Sequence, residues 1–139
     1  MKKLLIVPIV AVVALAVGAP AAQATVANCS QFGADTPTLG GGVSDTWHLK
    51  CEGTYYLQAE LQVEIGGSWF PESGASPWDP PAFTGATDPT HTWSGLTHSP
   101  YHCYNWRTSN LVTDHSDTGD TAQYKFNSPE LHKTTGPDC

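Results

Sequence analysis

From Thr54 to Ile65 the chain alternates without a slip. Tyr55, Leu57, Ala59, Leu61, Val63 and Ile65 fall on one side, and Tyr56, Gln58, Glu60, Gln62 and Glu64 on the other. Period two over this length predicts a long antiparallel strand with one buried and one wet face. A helix would scatter the same apolar residues around its circumference. Just upstream, Val43, Asp45, Trp47, Leu49 and Cys51 occupy alternate positions. Residues Val43 to Glu52 therefore predict a half-buried strand, separated from the next by the turn signal Glu52-Gly53. Gly66-Gly67 predicts a hairpin turn, with Ser68-Trp69-Phe70 starting the return strand.

The pattern then changes. Residues 71–100 carry Pro71, Pro77, Pro80, Pro81, Pro89 and Pro100, six of the chain's eleven prolines. Proline removes ladder donors, so this stretch does not read as central sheet. It also holds Trp78, Phe83, His91, Trp93 and His98. Disordered segments are poor in aromatic residues, so an ordered loop is expected, and long ordered loops are usually functional. Tyr101 to Val112 predicts a further strand containing Cys103. Ser116 to Asp120 is a polar turn, and Gln123 to Phe126 is a short return strand. Residues 25–42, with Pro37 and Gly40-Gly41-Gly42, read as an irregular arm or edge strand, and no helical period is present.

The first residues have another character. Lys2 and Lys3 precede an apolar run from Leu4 to Val17, and Ala22-Gln23-Ala24 follows. That order marks residues 1–24 as a secretory signal peptide, since the run is too short to span a bilayer. Residues 25–139 then form one secreted domain. Loss of the two leader lysines takes the formal charge from −7 to −9. Four scattered cations make no footprint for nucleic acid, and none for an anionic membrane surface once the leader is gone. The expected localisation is extracellular.

Cys29, Cys51, Cys103 and Cys139 all lie in the mature part. An even count in a small exported chain predicts two disulfides, and the wide spacing disfavours zinc. Loop-closure arithmetic does not choose among the three pairings. The fold class expected is all-β, a single disulfide-stabilised antiparallel β-sandwich with one long Pro/Trp-rich loop. Leu49-Lys50-Cys51 followed by Gly53 resembles the B strand of an immunoglobulin-like domain, and Tyr101-His102-Cys103 is similar to its tyrosine corner. The resemblance covers about two strands and implies an immunoglobulin-like sandwich with an inter-sheet bridge. It thereby favours the nested pairing, 51–103 with 29–139, over the sequential one, 29–51 with 103–139. Leader, composition and size also resemble small secreted proteins of Gram-positive bacteria.

Several constellations could carry chemistry. His91, His98 and His102 lie close in sequence and are the candidate metal ligands, although Ser99-Pro100 interrupts them. Asp114, Asp117 and Asp120 recur every third residue, which fits a solvated turn better than an EF-hand loop. Asp117-Thr118-Gly119 occurs once, whereas aspartic-protease chemistry needs two such aspartates. Glu60, Glu64, Glu72 and Asp79 could supply paired carboxylates for glycoside cleavage, but Glu60 and Glu64 alternate as wet-face glutamates ordinarily do, and a Ser-His-Asp triad lacks its nucleophile elbow. The tryptophans are the stronger signal, because aromatic rings give large contact area at low entropy cost. The chain is therefore expected to be a secreted, non-catalytic binding protein that needs no cofactor. Its 69–107 region would bind an extracellular glycan or protein, with Trp78, Trp93, Trp106 and Arg107 as the contact residues. A proteinaceous inhibitor of a secreted hydrolase is the second expectation, and a small metal-dependent hydrolase the third.

Overall fold

The computed structural model describes residues 27–100 and 102–132. The leader, Tyr101 and Cys139 lie outside the described residues. Eight strands make up the regular structure: β1 (Cys29–Ala34), β2 (Thr38–Leu39), β3 (Val43–Ile65), β4 (Ser68–Pro71), β5 (Phe83–Thr87), β6 (Thr90–Trp93), β7 (Trp106–His115) and β8 (Thr121–Asn127). All pairings are antiparallel and the described chain is all-β.

Strand β3 organises the rest. It is 23 residues long, and β1, β2, β4, β5, β6 and β7 all pair with it, while β8 pairs with β7. The two strands expected on either side of Glu52-Gly53 are thus one. The glycine does not turn the chain, because its backbone N–H is held by Asp114 Oδ1 at 3.1 Å. A Cβ at Gly53 would overlap the backbone carbonyl of His115, and the register with β5 shifts between Cys51 and Thr54. An interior strand glycine of this kind marks a bulge and a close backbone approach.

The alternation read from the sequence holds from Val43 to Val63 and stops before Ile65, which is exposed next to the hairpin turn. Val43, Asp45, Trp47, Leu49, Cys51, Tyr55, Leu57, Ala59, Leu61 and Val63 are buried, and their neighbours are not. The sheet curls so that the buried face of the first half of β3 meets β7. A chain of hydrogen bonds crosses this interior. Trp47 Nε1 donates to Asn110 Oδ1 at 2.9 Å, Asn110 Nδ2 to Thr108 Oγ1 at 2.9 Å, and Thr108 Oγ1 to Asp45 Oδ2 at 2.6 Å. Buried polar groups are costly unless paired, and this chain pairs four of them in succession.

Gly66 and Gly67 have φ of 60° and 83° and join β3 to β4 as the expected two-residue hairpin, which needs left-handed backbone at both positions. The proline-rich segment is more regular than expected. It contributes β5, β6 and the isolated bridge between Trp78 and Ala59, each alongside β3. Its prolines flank these pieces rather than interrupt them. Cys103 precedes β7 instead of lying within the strand.

The nested disulfide pairing is overturned. Cys29 is bonded to Cys51, its direct neighbour across β1 and β3. The bridge implied by the immunoglobulin resemblance, from Cys51 to Cys103, is therefore not formed. The Cys29–Cys51 bond staples adjacent strands of one sheet and fits the sequential alternative. Cys103 is also disulfide-bonded.

Candidate functional site

The tryptophans expected to contact a ligand divide by burial. Trp93 is 3% exposed and Trp106 is fully buried, so both belong to the core and offer no surface to a partner. Trp78 is half-buried. Its ring lies 5.0 Å from that of Trp47, and His91 stacks on it at 4.7 Å and 9°. Trp93 meets His91 edge-on at 4.7 Å and donates its Nε1–H to the carbonyl of Ser76. The aromatic loop is thus bound down onto the sheet by its own rings. Arg107 remains on the wet face of β7, its guanidinium 4.4 Å from the ring of Trp69.

The histidines serve separate local structures. Burial among the tryptophan rings pushes the His91 imidazole below its ordinary pKa. His98 Nδ1 donates to the buried Glu72 carboxylate at 2.7 Å and its ring meets Tyr104 edge-on. His102 is exposed, with its backbone N–H on the Ser99 carbonyl. Among the described residues, no group of three or more His, Cys, Asp and Glu side chains is arranged to hold a metal ion. Asp114 is not part of the polar turn. It is buried on β7, and its carboxylate accepts the backbone N–H groups of Asn28 and Gly53. Residues 116–120 do form the expected turn, closed by Ser116 N–H to the Asp120 carbonyl.

Glu72 fastens the loop. Its Oε1 accepts from the backbone N–H of Gly74, Thr97 and His98, at 3.3, 2.6 and 3.1 Å, while Oε2 takes the His98 ring. Burial acts to raise this carboxyl's pKa. The His98 ring and the three backbone donors outweigh it and hold the group below its ordinary value.

The open surface lies elsewhere, on the outer face of the sheet. Residues paired across β3 and β7 share a face, so Gln62 stands beside Arg107, Glu60 beside Ser109, Gln58 beside Leu111 and Tyr56 beside Thr113. Because Trp78 faces inward opposite Ala59 in an antiparallel bridge, Pro77 faces outward beside Glu60 and Asp79 beside Gln58. These rows enclose a cleft of about 490 Å³ whose lining includes Glu60, Pro77, Asp79, Ser109, Lys125 and Asn127. A second hollow of about 400 Å³ adjoins it, bordered by Tyr56, Pro80, Thr113 and His115, and the two share Gln58 and Asp79. Side-chain amides, hydroxyls, two carboxylates and an ammonium group face one another here, with Leu111 as an apolar patch. The volume falls within the range of small-molecule sites.

Two of the carboxylates noted in the sequence, Glu60 and Asp79, therefore meet in one cleft, while Glu72 is enclosed in its own cage. The 77–80 segment of the expected binding region borders the cleft. In the sequence, the wet residues of β3 that complete it look like a solvated face, and those of β7 and β8 like parts of ordinary strands. The available signals were Tyr56 and Leu111, large side chains at positions where alternation calls for polar ones. No family model matches the chain, and no match is found among curated proteins or solved structures.

Proposed function

We propose that the chain is a secreted, non-catalytic binding protein that holds an extracellular glycan on the outer face of its sheet. The observation that supports this most directly is the cleft of about 490 Å³ between the 77–80 segment and strands β3, β7 and β8. Its donors and acceptors are varied and, Asp79 apart, carried on strands, which suits the hydroxyl groups of a sugar better than a single strong charge would. The two facing halves of the curled sheet are read as the layers of a sandwich, an architecture that carries many functions, so the argument rests on the cleft. The disulfides are compatible with the extracellular address.

Calorimetric titration against a panel of soluble glycans tests the reading. Glu60→Ala and Asn127→Ala should each weaken binding on the order of tenfold while leaving thermal unfolding unchanged. Wild-type affinity in both variants would place the ligand elsewhere. Bound glycans should be recovered intact, and appearance of shortened products would replace the non-catalytic reading with a hydrolytic one.

A second reading, inhibition of a secreted hydrolase, is favoured by the Glu72 cage. Binding loops that are rigid before docking lose less entropy on association, and Glu72 ties Gly74, Thr97 and His98 together. Assay against a panel of secreted hydrolases separates the two readings. Inhibition that disappears in Glu72→Ala would support the inhibitor, and absence of inhibition would remove it.

A further inference from the structure

We infer that the ligand is an extended, uncharged polysaccharide chain lying along β3, with Trp69 and Tyr56 as platforms at its two ends. This inference rests on the glycan reading above and names the ligand's class.

The registers place the platforms. Trp69 pairs with Glu64 across β4 and β3, and Arg107 pairs with Gln62 across β7 and β3. Both therefore stand on the wet face. The Arg107 guanidinium lies over the Trp69 ring at 4.4 Å, and its Nε–H donates to Gln62 Oε1 at 2.9 Å. The stack is held in place before any ligand arrives, and Glu64 is fixed beside it by Asn105 Nδ2 at 2.6 Å. At the other end Tyr56 is 46% exposed, with its ring edge-on to His115 at 5.5 Å. From Glu64 to Tyr56 is eight residues, about 26 Å along a strand. That is room for several linked sugar rings. The two adjoining hollows form a trough over the Tyr56–Glu60 part of the interval, and the wet-face pair Gln62 and Arg107 continues it toward Trp69.

Charge selects the kind of chain. Glu60, Glu64 and Asp79 share this face with Arg107 and Lys125, so it lies within one charge of neutral. The whole molecule carries −7, which repels a polyanion at longer range. An uncharged chain matches a charge-balanced trough, because its hydroxyls donate and accept in turn. Aromatic rings at the ends supply apolar area for the faces of sugar rings.

Titration of the full chain with cello-, xylo- and chito-oligosaccharides of two to eight sugars, and with sulfated and uronic-acid oligosaccharides of the same lengths, tests this. Affinity should climb with length until the trough is filled and then level off. Tyr56→Ala and Trp69→Ala should each lower hexasaccharide affinity on the order of tenfold, while disaccharide binding stays as in the wild type. Tyr56 is the more exposed of the two, so its variant keeps the test valid if Trp69→Ala unfolds. A disaccharide that binds as tightly as a hexasaccharide, or a Tyr56→Ala variant with undiminished hexasaccharide affinity, overturns the extended chain but leaves glycan binding standing. Preference for a sulfated or uronic-acid chain overturns the uncharged ligand. Failure of every glycan at every length removes both the chain and the glycan reading.

Discussion

The Nδ1 of His98 lies 2.7 Å from Oε2 of Glu72, and with the Thr97 and His98 backbone donors on Oε1 it closes a loop of more than two dozen residues. The carboxylate side chain is fully enclosed, while the ring is partly open to solvent. A group considered for acid–base chemistry and another considered for metal binding thus satisfy each other. Glu72 is held below its ordinary pKa despite its burial, so its stabilising effect is present above about pH 4.5 and is lost as pH falls through the lowered value. Glu72→Gln keeps the shape and removes the charge, and should cost about 2 kcal/mol. The loop between Ser73 and Thr97 should become cleavable by proteases. Unchanged cleavage together with an unchanged urea midpoint would show that the loop is fastened by its aromatic rings alone.

Asp45 should make the protein more stable in mild acid. Burial raises its carboxyl to about 6, against the lowering effect of bonds from Thr108 and Thr46, while Asp35 and His48 act weakly in opposite senses. The native state then keeps a proton that the unfolded chain releases near pH 4. Stability falls as pH rises from about 4 to about 6, by at most about 3 kcal/mol, and levels off above. Urea midpoints across that window should show the slope in the wild type and lose it in Asp45→Asn. A slope of the same size in the variant would assign the effect to another group.

His48 should titrate high. Its Nδ1 lies 2.8 Å from Asp88 Oδ1 and its Nε2 3.1 Å from Asp35 Oδ1. Carboxylates only accept, so both bonds are made together only by the protonated ring. Asp88 is the larger cause of the raised pKa and Asp35 the next. The stabilisation is present below pH 6.5 and disappears as pH climbs through the raised value, and exposure keeps it under about 1 kcal/mol. Proton NMR should place the His48 midpoint above 6.5 and show a larger drop in Asp88→Asn than in Asp35→Asn. Equal midpoints in all three proteins would mean that the pairs do not persist in solution.

Peptide mapping without reduction should recover Cys29 linked to Cys51. Removing that bond with a paired Cys29→Ala, Cys51→Ala change should cost about 3 kcal/mol on the loop-closure estimate. Recovery of Cys51 linked to Cys103 would reinstate the nested pairing.

Core and cleft residues should respond oppositely to truncation. Trp106→Ala should lose about 3 to 5 kcal/mol, because the ring is wholly buried beneath β7. Gln58→Ala should leave the thermal midpoint within experimental error, since its side chain is exposed. A Trp106→Ala protein as stable as the wild type would contradict the packing described.

Strictly local signals were readable in the sequence. The buried side of β3, the Gly66-Gly67 hairpin, the turn at residues 116–120 and the core position of Trp47 all follow from neighbours a few residues apart. What required knowledge of distant partners was not readable. Gly53 looks like a turn until Asp114 and His115 are brought against it. Trp93 and Trp106 look like contact residues until the sheet curls over them. Cys29 and Cys51 become neighbours only when β1 lies beside β3. The cleft draws on β3, β7, β8 and the 77–80 segment, so no single stretch of chain announces it.

The single 23-residue strand that accepts six partners also governs how the molecule can fail. In most sheets an outer strand can peel away and leave a smaller sheet behind. Here, losing β3 leaves only the β7–β8 hairpin paired and strands the other five without a mate. Partial opening has few places to stop, so loss of structure should run as one event, and a nick within β3 would sever the keel to which the remaining pieces are fastened.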